Sequence, residues 1–344
     1  MKVLVTGAAG FIGYFTSRRL LARGDEVIGL DNLNDYYDVT LKRARLAQLD
    51  SERGFRFVKL DLADQAGVAQ LFAREKFQRV VHLGAQAGVR HSLKDPHSYI
   101  FSNVLGTLNV LEGCRSHGVE HLVYASTSSV YGASSKLPSS VHEPAAHPMS
   151  LYAASKRSTE LMAHSYAAMY GLPTTGLRFF TVYGPWGRPD MALFRFARAI
   201  VDGRPIEIYN NGHHQRDFTY VDDIVEGVVR IIDRTATADE QWNSLAPDPA
   251  SSPAPFRLYN IGSHRPIQLL RYIELLEASL GRKAKRVMKP RQAGDVTDTF
   301  ADISELAAAI GYRPETPIEV GVGRFVDWFR DYYRISTSGQ EKKI

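Results

Sequence analysis

A tyrosine and a lysine four residues apart are the clearest candidates for chemistry in this 344-residue sequence. Tyr152 and Lys156 lie in a helix-like segment, and i, i+4 spacing places both side chains on one face of a helix. A nearby ammonium group favours the phenolate form, which lowers a phenol pKa of about 10 toward useful basicity. The pair therefore predicts a proton-transfer group.

Hydroxyl groups are concentrated in a segment that precedes this pair. The apolar run Leu122 to Ala125 is predicted to be a strand, and it is followed by Ser126, Thr127, Ser128 and Ser129. In a parallel α/β sheet, the carboxyl ends of the strands face the ligand crevice. We therefore expect these hydroxyls to lie beside the tyrosine.

The chain opens with an apolar run, a glycine-rich turn and a helical pattern. Gly7, Gly10 and Gly13 have the spacing G-x-x-G-x-x-G, which differs from the G-x-G-x-x-G of the dinucleotide fingerprint. A strand, glycine turn and helix in this order bind a dinucleotide pyrophosphate. Asp31 ends the second predicted strand, where a carboxylate binds the adenosine ribose and repels a 2'-phosphate, so NAD is favoured over NADP. Asp61, after the third strand, is placed to approach the adenine.

Short apolar runs alternate with helical patterns through the first half of the chain. They lack in-out alternation, which is typical of parallel strands covered on both faces. The predicted strands are Val3 to Thr6, Glu26 to Leu30, Phe55 to Leu60, Val80 to Leu83, Leu122 to Ala125 and Thr174 to Phe179. The pattern predicts an α/β fold with a doubly wound parallel sheet. A smaller second domain is expected beyond it, with helices near Val221 to Asp233 and Ile267 to Leu280.

Composition and charge disfavour several classes of protein, including nucleic-acid-binding and membrane-spanning proteins. The formal net charge is +5, but the basic residues are dispersed without a zinc knuckle, RNP pattern or basic helix, so nucleic acid is not an expected partner. The single cysteine, Cys114, makes no internal disulfide, and no apolar run approaches the roughly 20 residues that span a bilayer. His213 and His214 are adjacent and lack metal-ligand spacing. We expect a cytoplasmic enzyme with no metal and no membrane contact.

Together these motifs resemble those of the extended short-chain dehydrogenase/reductases and, more narrowly, the nucleotide-sugar epimerases of the NAD-dependent epimerase/dehydratase family. The resemblance covers almost the whole chain. It implies that Tyr152 is the base, that Lys156 orients the ribose and lowers the tyrosine pKa, and that Thr127 hydrogen-bonds the reacting oxygen. It also implies NAD as cofactor, with a Rossmann-like sheet that contacts it through Gly7, Gly10, Phe11, Ile12, Gly13, Asp31, Asn32, Asp61, Leu62, Leu83, Ala85, Gln86, Asn103, Ser126, Tyr152, Lys156 and Phe179.

One position separates the possible reactions within this family. Nucleotide-sugar dehydratases and UDP-glucuronate decarboxylases place a Glu, often beside an Asp, just before the Val-Tyr-Gly of the hydroxyl-rich loop. This chain has Ser128 and Ser129 there. Elimination of water needs an acid to protonate the leaving hydroxyl. Dehydration is therefore disfavoured, and decarboxylation is disfavoured less strongly.

The segment Val182 to Ala192, which contains P-W-G-R-P-D-M-A, resembles that of UDP-glucuronate 4-epimerases. A hexuronate carries a carboxylate at C6, which a guanidinium binds through charge-assisted, potentially bidentate hydrogen bonds. Arg188, helped by Thr181, is the candidate, and Arg90 is a second. The resemblance further implies that Arg216, within Arg216-Asp217, contacts the diphosphate. The full set of expected substrate-binding residues is Arg90, Ser128, Ser129, Thr181, Arg188, Arg216 and Asp295, the last of them on the ribose.

The expected reaction is the NAD-dependent interconversion of UDP-glucuronate and UDP-galacturonate, through C4 oxidation, rotation of a 4-keto intermediate and re-reduction. The alternatives are a UDP-glucose or UDP-N-acetylhexosamine 4-epimerase, a UDP-glucuronate decarboxylase, or an NAD-binding regulatory protein without catalysis. The resemblance also implies a homodimer through the helix of Tyr152 and its neighbour.

The same interpretation divides the chain into domains. Residues 1–180 are expected to form the NAD-binding domain and residues 181–335 mainly the UDP-sugar domain. Within the latter, 219–236 and 257–262 are expected to return to the first domain, 237–256 to form a loop insertion, and 336–344 to form a flexible tail.

Overall fold

The computed structural model describes residues 1–291, 298–311 and 313–335. Its centre is a seven-stranded parallel sheet with the strand order β10-β6-β5-β4-β1-β2-β3. The strands are β1 (Lys2–Thr6), β2 (Glu26–Asp31), β3 (Phe55–Lys59), β4 (Arg79–His82), β5 (His121–Thr127), β6 (Thr174–Phe179) and β10 (Phe256–Ile261). The predicted doubly wound parallel sheet is therefore confirmed.

Helices cover both faces of this sheet. One face packs against α1 (Phe11–Ala22), α2 (Val39–Asp50) and α8 (Val221–Asp233). The other packs against α3 (Gln65–Glu75), α5 (Gly106–Ser116) and α6 (Leu151–Tyr170). Successive side chains of a strand point to opposite faces. In β1, Val3 and Val5 accordingly join one core, and Leu4 joins the other. Burial on both faces explains why the strands read as continuous apolar runs.

Two small sheets follow the central one along the chain. A three-stranded sheet has the order β11-β9-β7, and a two-stranded sheet pairs β12 with β8. The strands are β7 (Thr181–Tyr183), β8 (Pro205–Ile208), β9 (Gln215–Tyr220), β11 (Pro266–Gln268) and β12 (Lys285–Met288). The helices are α7 (Ala192–Val201), α9 (Leu269–Leu280), α10 (Ser304–Ile310) and α11 (Ile318–Tyr332). Aromatic rings of α7 and α11 pack edge to face here, with Phe194 against Phe329.

The last strand of the central sheet comes from far along the sequence. β10 pairs in parallel with β6, with Phe256 opposite Thr174 and Ile261 opposite Phe179. The segment between α8 and β10 holds a local contact, since the Trp242 indole donates a hydrogen bond to the Asp248 carbonyl. The division into two domains stays a prediction, and its tail, 336–344, lies outside the described residues.

The strand order places a crevice over the middle of the sheet. The order reverses between β4 and β1, and ligands of open α/β sheets bind at the carboxyl ends of strands near such a reversal. The chain leaves β1, β2, β4, β5 and β6 at this edge. Within the described ranges, no helix is both long and apolar enough to cross a membrane.

Candidate active site

A cavity of about 340 Å³ opens along the carboxyl edge of the central sheet. It extends from the glycine-rich turn past the ends of β2 and β4 to β5 and the start of α6. The predicted residues that line it are Gly7, Gly10, Phe11, Ile12, Gly13, Asp31, Asn32, Asp61, Leu62, Leu83, Ala85, Gln86, Ser126, Thr127, Ser128, Ser129, Tyr152, Lys156, Phe179, Thr181 and Arg188. The fold thus brings most of the sequence motifs to one place.

The glycines of this turn carry no side chains, which leaves space for a bound ligand. Gly7 has φ 71°, and a Cβ on it would lie 2.9 Å from the Gly84 backbone. A Cβ on Gly13 would lie 2.1 Å from the Gly7 carbonyl oxygen, so α1 packs closely against the turn. Gly10 caps α1 without a side-chain hydrogen bond, and helix N-termini whose N–H groups lack such partners bind phosphate. This cradle fits the pyrophosphate of NAD.

Asp31 lies at the end of β2 with a nearly buried side chain. Its Oδ1 accepts a hydrogen bond from the Leu33 amide at 2.8 Å. Burial raises the pKa of Asp31, and the charge of Lys42 is the largest influence that lowers it. Nearby, the Asn32 amide donates to Asp61 Oδ2 at 2.8 Å. These polar groups form the end of the cavity where the adenosine ribose is expected.

Lys42 is a cavity residue that the sequence interpretation missed. It is 5% exposed and lies on α2, and its Nζ donates to the Asn34 carbonyl and side chain at 2.8 and 2.7 Å. Burial lowers its pKa. A lysine in a helix rich in charged residues is typical of a solvated surface, and the sequence pattern carries no signal that this one turns inward beside Asp31.

Tyr152, Thr127 and Lys156 meet at the other end of the cavity. Ser150 caps α6, since its side chain accepts from the Ala153 amide, and Tyr152 follows in the first turn. The Thr127 hydroxyl lines the cavity with Tyr152 and lowers the pKa of the phenol, and its Oγ1 donates to Ser129 Oγ at 3.3 Å. Lys156 is 2% exposed. The geometry therefore assembles a phenol, a hydroxyl and an amine at the end of β5.

The pKa direction of Tyr152 differs from the expectation. Burial raises it, and the Thr127 hydrogen bond and the Arg188 charge offset that rise only in part. Burial also lowers the pKa of Lys156 to about 8, against the opposing charge of Glu160. Desolvation penalises both charged forms, and Lys156 is not among the influences on the pKa of Tyr152. The protein by itself keeps Tyr152 as a phenol.

A buried ion pair lies behind this group and was not predicted. Glu160 of α6 accepts from Arg178 of β6, with Nε to Oε1 at 2.9 Å and Nη2 to Oε2 at 3.0 Å, and both side chains are fully buried. Ser126 Oγ donates to Glu160 Oε1 at 2.5 Å. A charged residue within the apolar run Thr174 to Phe179 was the available signal, because a buried charge needs a counter-ion.

Asn103 is fully buried in a π-helical turn, Ile100–Leu105. Its Oδ1 accepts from the Gln86 amide at 2.8 Å, and its Nδ2 donates to the Gln86 carbonyl and to Ser155 Oγ. These bonds fix the segment after β4 to α6. The NAD contact predicted for Asn103 is untested, and its observed contacts are with protein groups.

The loop that carries Arg188 is fastened to the glycine turn by Arg45. This α2 residue is fully buried, and its guanidinium donates to the Ala9 carbonyl at 2.8 Å and to the Trp186 carbonyl at 2.6 Å. Tyr37 and the Gly187 carbonyl are further partners. Trp186 itself has φ 59°, a strained conformation for a bulky residue. Arg45 thereby joins the expected cofactor turn to the expected substrate loop.

Arg188 projects into the cavity but already has an ionic partner. Its Nε and Nη2 donate to the two carboxylate oxygens of Asp190 at 3.0 and 2.6 Å. Tyr36 OH donates to the same carboxylate at 3.0 Å. The charge and hydrogen bonds of Asp190 raise the pKa of Arg188 against burial, so the guanidinium stays charged. The bidentate edge of Arg188 is therefore occupied within the protein.

The remaining substrate candidates lie elsewhere. The Arg90 guanidinium is 5.1 Å from the centre of the Tyr209 ring, and Arg216 Nη1 donates to the Gln215 carbonyl. Neither is among the described residues that line the cavity. Asp217 is fully buried and accepts from the backbone amides of Ser263, His264 and Ala301, which makes it structural. Asp295 lies outside the described residues.

A search of the described ranges for metal ligands found no group of three or more His, Cys, Asp or Glu side chains suited to an ion. Cys114 is a free, buried thiol. The side chains that line the cavity include a phenol, hydroxyls, amines, carboxylates and a guanidinium.

These features define a class of protein. The model of the NAD dependent epimerase/dehydratase family matches residues 3–244, and the chain belongs to that family. A probable UDP-glucuronate 4-epimerase of Rhizobium meliloti (strain 1021) is 47% identical over 97% of this chain and 98% of its own length.

Solved structures show the same relationship. The UDP-glucuronic acid 4-epimerase of Bacillus cereus, in complex with UDP-glucuronic acid and NAD, is 32% identical with a TM-score of 0.86 over 97% of this chain and 100% of its own. The UDP-glucose 4-epimerase of Thermotoga maritima with UDP-glucose is 29% identical with a TM-score of 0.83, over 97% and 100% of the two chains.

Proposed function

We propose that this protein is a UDP-glucuronate 4-epimerase, which interconverts UDP-glucuronate and UDP-galacturonate with NAD as cofactor. The observation that carries the proposal is that Arg188 and the hydroxyls of Ser128, Ser129 and Thr181 line the same cavity as Tyr152. A guanidinium beside hydroxyl donors is suited to a carboxylate. The match to relatives of that activity along nearly the full chain supports the same assignment.

The residues of the cradle determine how NAD would be held. The Gly7 turn and the N-terminus of α1 would bind the pyrophosphate, and Asp31 would bind the adenosine ribose hydroxyls. Lys156 would bind the second ribose. When bound, NAD would supply a positive charge and the acceptor and donor of the C4 hydride.

The chain itself moves the proton. Tyr152 would accept the O4 proton as C4 is oxidised and return it when the 4-keto sugar is reduced on its other face. The Thr127 hydroxyl, which lines the same cavity as Tyr152, would donate to the same sugar oxygen. General acid-base catalysis of this kind contributes about 10² to 10⁴-fold. Because the cofactor ends in its starting state, the reaction needs no external oxidant or reductant.

The substrate contacts beyond the cavity are proposals from motif alone. Arg216 would bind the diphosphate and Asp295 the uridine ribose, and Arg90 is the second candidate for the C6 carboxylate. Arg188 and Thr181 would hold the C6 carboxylate. Retaining that carboxylate is a requirement of the reaction, since the 4-keto intermediate of a uronate is a β-keto acid.

A neutral UDP-sugar 4-epimerase is the second candidate. The observation that favours it is the Arg188–Asp190 ion pair, which balances the guanidinium charge within the protein. A neutral hexose would not need that charge. The likeness to a UDP-glucose 4-epimerase fold is compatible with this alternative.

We also propose a homodimer formed through α5 and α6. Apolar side chains of α6 are exposed in the single chain, with Leu161 57% and Met169 72% accessible. Sedimentation or light scattering of the purified protein would test this assembly. A cytoplasmic location is a further prediction, based on the single cysteine.

The decisive experiment is incubation of the purified protein with a panel of UDP-sugars, without added NAD, followed by chromatography of the products. We expect UDP-glucuronate to yield UDP-galacturonate, and UDP-glucose to be a poor substrate. Efficient turnover of UDP-glucose with no turnover of UDP-glucuronate would establish the second candidate instead. NAD released on denaturation, with no UDP-sugar converted, would contradict both.

A further inference from the structure

Asp190 lies two residues beyond Arg188 and occupies one edge of its guanidinium. The two bonds run from Nε to Oδ1 at 3.0 Å and from Nη2 to Oδ2 at 2.6 Å. Arg188 lines the cavity, Asp190 is not among its lining residues, and 24% and 27% of the two side-chain surfaces are exposed. Arginine has five N–H donors in a rigid plane. The parallel Nε–Nη2 pair is one of two edges that a carboxylate can bind bidentately, and the Nη1–Nη2 pair is the other.

A second contact keeps Asp190 in this position. Tyr36, which lines the cavity, donates from its hydroxyl to Asp190 Oδ2 at 3.0 Å. The Arg188 charge and hydrogen bonds hold the pKa of Asp190 below its usual range, so it is a carboxylate throughout the neutral range. The carbonyls of Trp186 and Gly187, immediately before Arg188, are fixed by Arg45. The pair is therefore held by Tyr36 directly and by Arg45 through the preceding backbone.

We propose that Asp190 is a specificity-determining residue, an internal carboxylate that competes with the C6 carboxylate of the substrate for Arg188. This inference rests on the proposed function. With Asp190 in place, the substrate can reach Arg188 only through the remaining N–H groups, together with the hydroxyls of Ser128, Ser129 and Thr181. Its carboxylate meets a guanidinium whose charge Asp190 balances and whose Nε–Nη2 edge is occupied, so its ion pair with Arg188 is weaker.

The proposed reaction gives a reason for weaker binding of the substrate carboxylate to Arg188. The 4-keto intermediate must turn to present its other face, so the C6 carboxylate must leave one set of donors and bind again in a second orientation. A bidentate ion pair with Arg188 would stabilise one orientation of the sugar. Binding energy that stabilises a bound ground state without stabilising the step that follows raises the barrier to that step. Asp190 thereby allows the C6 carboxylate to leave one set of hydrogen-bond donors and bind the next.

The test is the substitution Asp190→Asn, which retains the size of the side chain but replaces one acceptor oxygen with an amide donor. We expect Kd for UDP-glucuronate to fall about tenfold or more, because the freed guanidinium edge can form a charge-assisted fork. We expect kcat to fall with KM, and Kd for UDP-glucose to change little. Calorimetry and steady-state kinetics give these values.

A matched control is available on the surface. Asp202 accepts from Arg204 at 2.8 Å with the same two-residue separation, but both side chains are more exposed. Asp202→Asn should leave Kd, KM and kcat as in the wild type. A change there equal to that of Asp190→Asn would overturn the proposal, because it would show a general charge effect.

A double-mutant cycle separates this role from a structural one. If Asp190 acts through Arg188, Asp190→Asn should have no further effect on Kd for UDP-glucuronate in an Arg188→Ala background. An equal effect in both backgrounds, or weaker binding of UDP-glucuronate by Asp190→Asn with kcat unchanged, would overturn the proposal.

Two further results complete the test. If Asp190→Asn does not fold, Tyr36→Phe releases the same carboxylate from one partner and should shift Kd and kcat in the same direction by a smaller factor; opposite shifts would overturn the inference. Failure of the wild-type protein to convert UDP-glucuronate would overturn the proposed function itself, and that result is distinct from every outcome of the variants.

Discussion

Glu160 lies one helical turn beyond Lys156 on α6, and it forms a fully buried ion pair with Arg178 of β6 at 2.9 Å. Its negative charge is the influence that opposes the loss of charge on Lys156. The Ser126 hydroxyl donates to the same carboxylate. One acidic side chain thus connects the lysine of the site, the end of β5 and the neighbouring strand.

Glu160→Gln is expected to shift the pH dependence of activity. Burial alone lowers the pKa of Lys156, and the Glu160 charge raises it, with the balance at about 8. Removing that charge moves the pKa lower, so the protonated lysine and the activity are lost at a lower pH. A profile of kcat/KM against pH should show its alkaline limb displaced downward.

The same substitution should destabilise the fold. Removal of one partner of a buried ion pair leaves Arg178 uncompensated and costs about 3 to 5 kcal/mol. Glu226→Gln is the matched control, since Glu226 pairs with Arg19 and Arg230 at the surface. An unshifted alkaline limb in a folded Glu160→Gln protein would show that Glu160 does not act on Lys156.

Tyr152→Phe should abolish epimerisation while the fold and the bound NAD remain. One oxygen is lost from a position where general acid-base catalysis contributes about 10² to 10⁴-fold. Turnover of UDP-glucuronate and the NAD content of the purified variant are the measurements. Tyr166→Phe, on the same helix and away from the cavity, serves as the control. Residual activity above a tenth of wild type would remove Tyr152 from the role of base.

Arg188→Ala should impair UDP-glucuronate turnover and allow carbon dioxide to escape. In the 4-keto intermediate, the C5–C6 bond breaks most easily when it aligns with the C4 carbonyl π system; its electron pair then passes to the carbonyl oxygen as carbon dioxide leaves. A truncated charge-assisted contact costs about 1.5 to 3 kcal/mol, or roughly 10 to 150-fold in binding. Product chromatography should show a larger fraction of 4-keto-pentose.

The control for this substitution is Arg195→Ala, at an exposed position of α7. Binding of UDP-glucose should be similar in the wild type and both variants. Wild-type kinetics on UDP-glucuronate in Arg188→Ala, with no added release of carbon dioxide, would contradict the assignment of Arg188 to the carboxylate.

Arg45→Lys should weaken the uronate site from a distance. Lysine keeps the charge but lacks the planar fork that reaches the carbonyls of both Ala9 and Trp186. Since hydrogen bonds of charged groups are worth about 1.5 to 3 kcal/mol, we expect at least a tenfold higher KM for UDP-glucuronate and reduced NAD retention. Arg43→Lys, at an exposed position of the same helix, should change neither value.

Asp31→Ala should relax the preference for NAD over NADP. The substitution removes the carboxylate that would repel a 2'-phosphate and leaves the Lys42 ammonium, whose charge acts on Asp31 in the wild type. Competition binding of the two cofactors measures the ratio of their affinities. The same ratio in variant and wild type would mean that another residue discriminates between them.

The regular elements were predictable because their signals are local. Two elements have the predicted bounds, the strand Thr174–Phe179 and the helix Val221–Asp233. An apolar strand and an amphipathic helix can each be identified from the pattern of a few neighbouring residues. Ile267 to Leu280 was predicted as one helix, but Pro266–Gln268 forms a strand before α9 begins at Leu269. Pairing of that strand with β9 is a tertiary contact that overrides local pattern.

The site was predictable where a motif fixes both residue type and position, and it was not where a partner is remote. Arg45 was missed for this reason, since it lies 141 residues from Trp186 in sequence. For Arg90 the position was predictable, but the contact of the side chain was not. A motif gave its position, but the direction of its side chain, over the Tyr209 ring, depends on the fold.

The pairing of β10 with β6 has a consequence for how the molecule is made. A ribosome releases the chain from its N-terminus, so β6 emerges with one edge unpaired and must wait until Phe256–Ile261 has been synthesised. Unpaired edges invite contact with other chains, and contacts that close long stretches of chain form slowly. Completion of the nucleotide-binding sheet is thereby delayed until most of the protein exists, which favours folding of the two parts of the active site as one event.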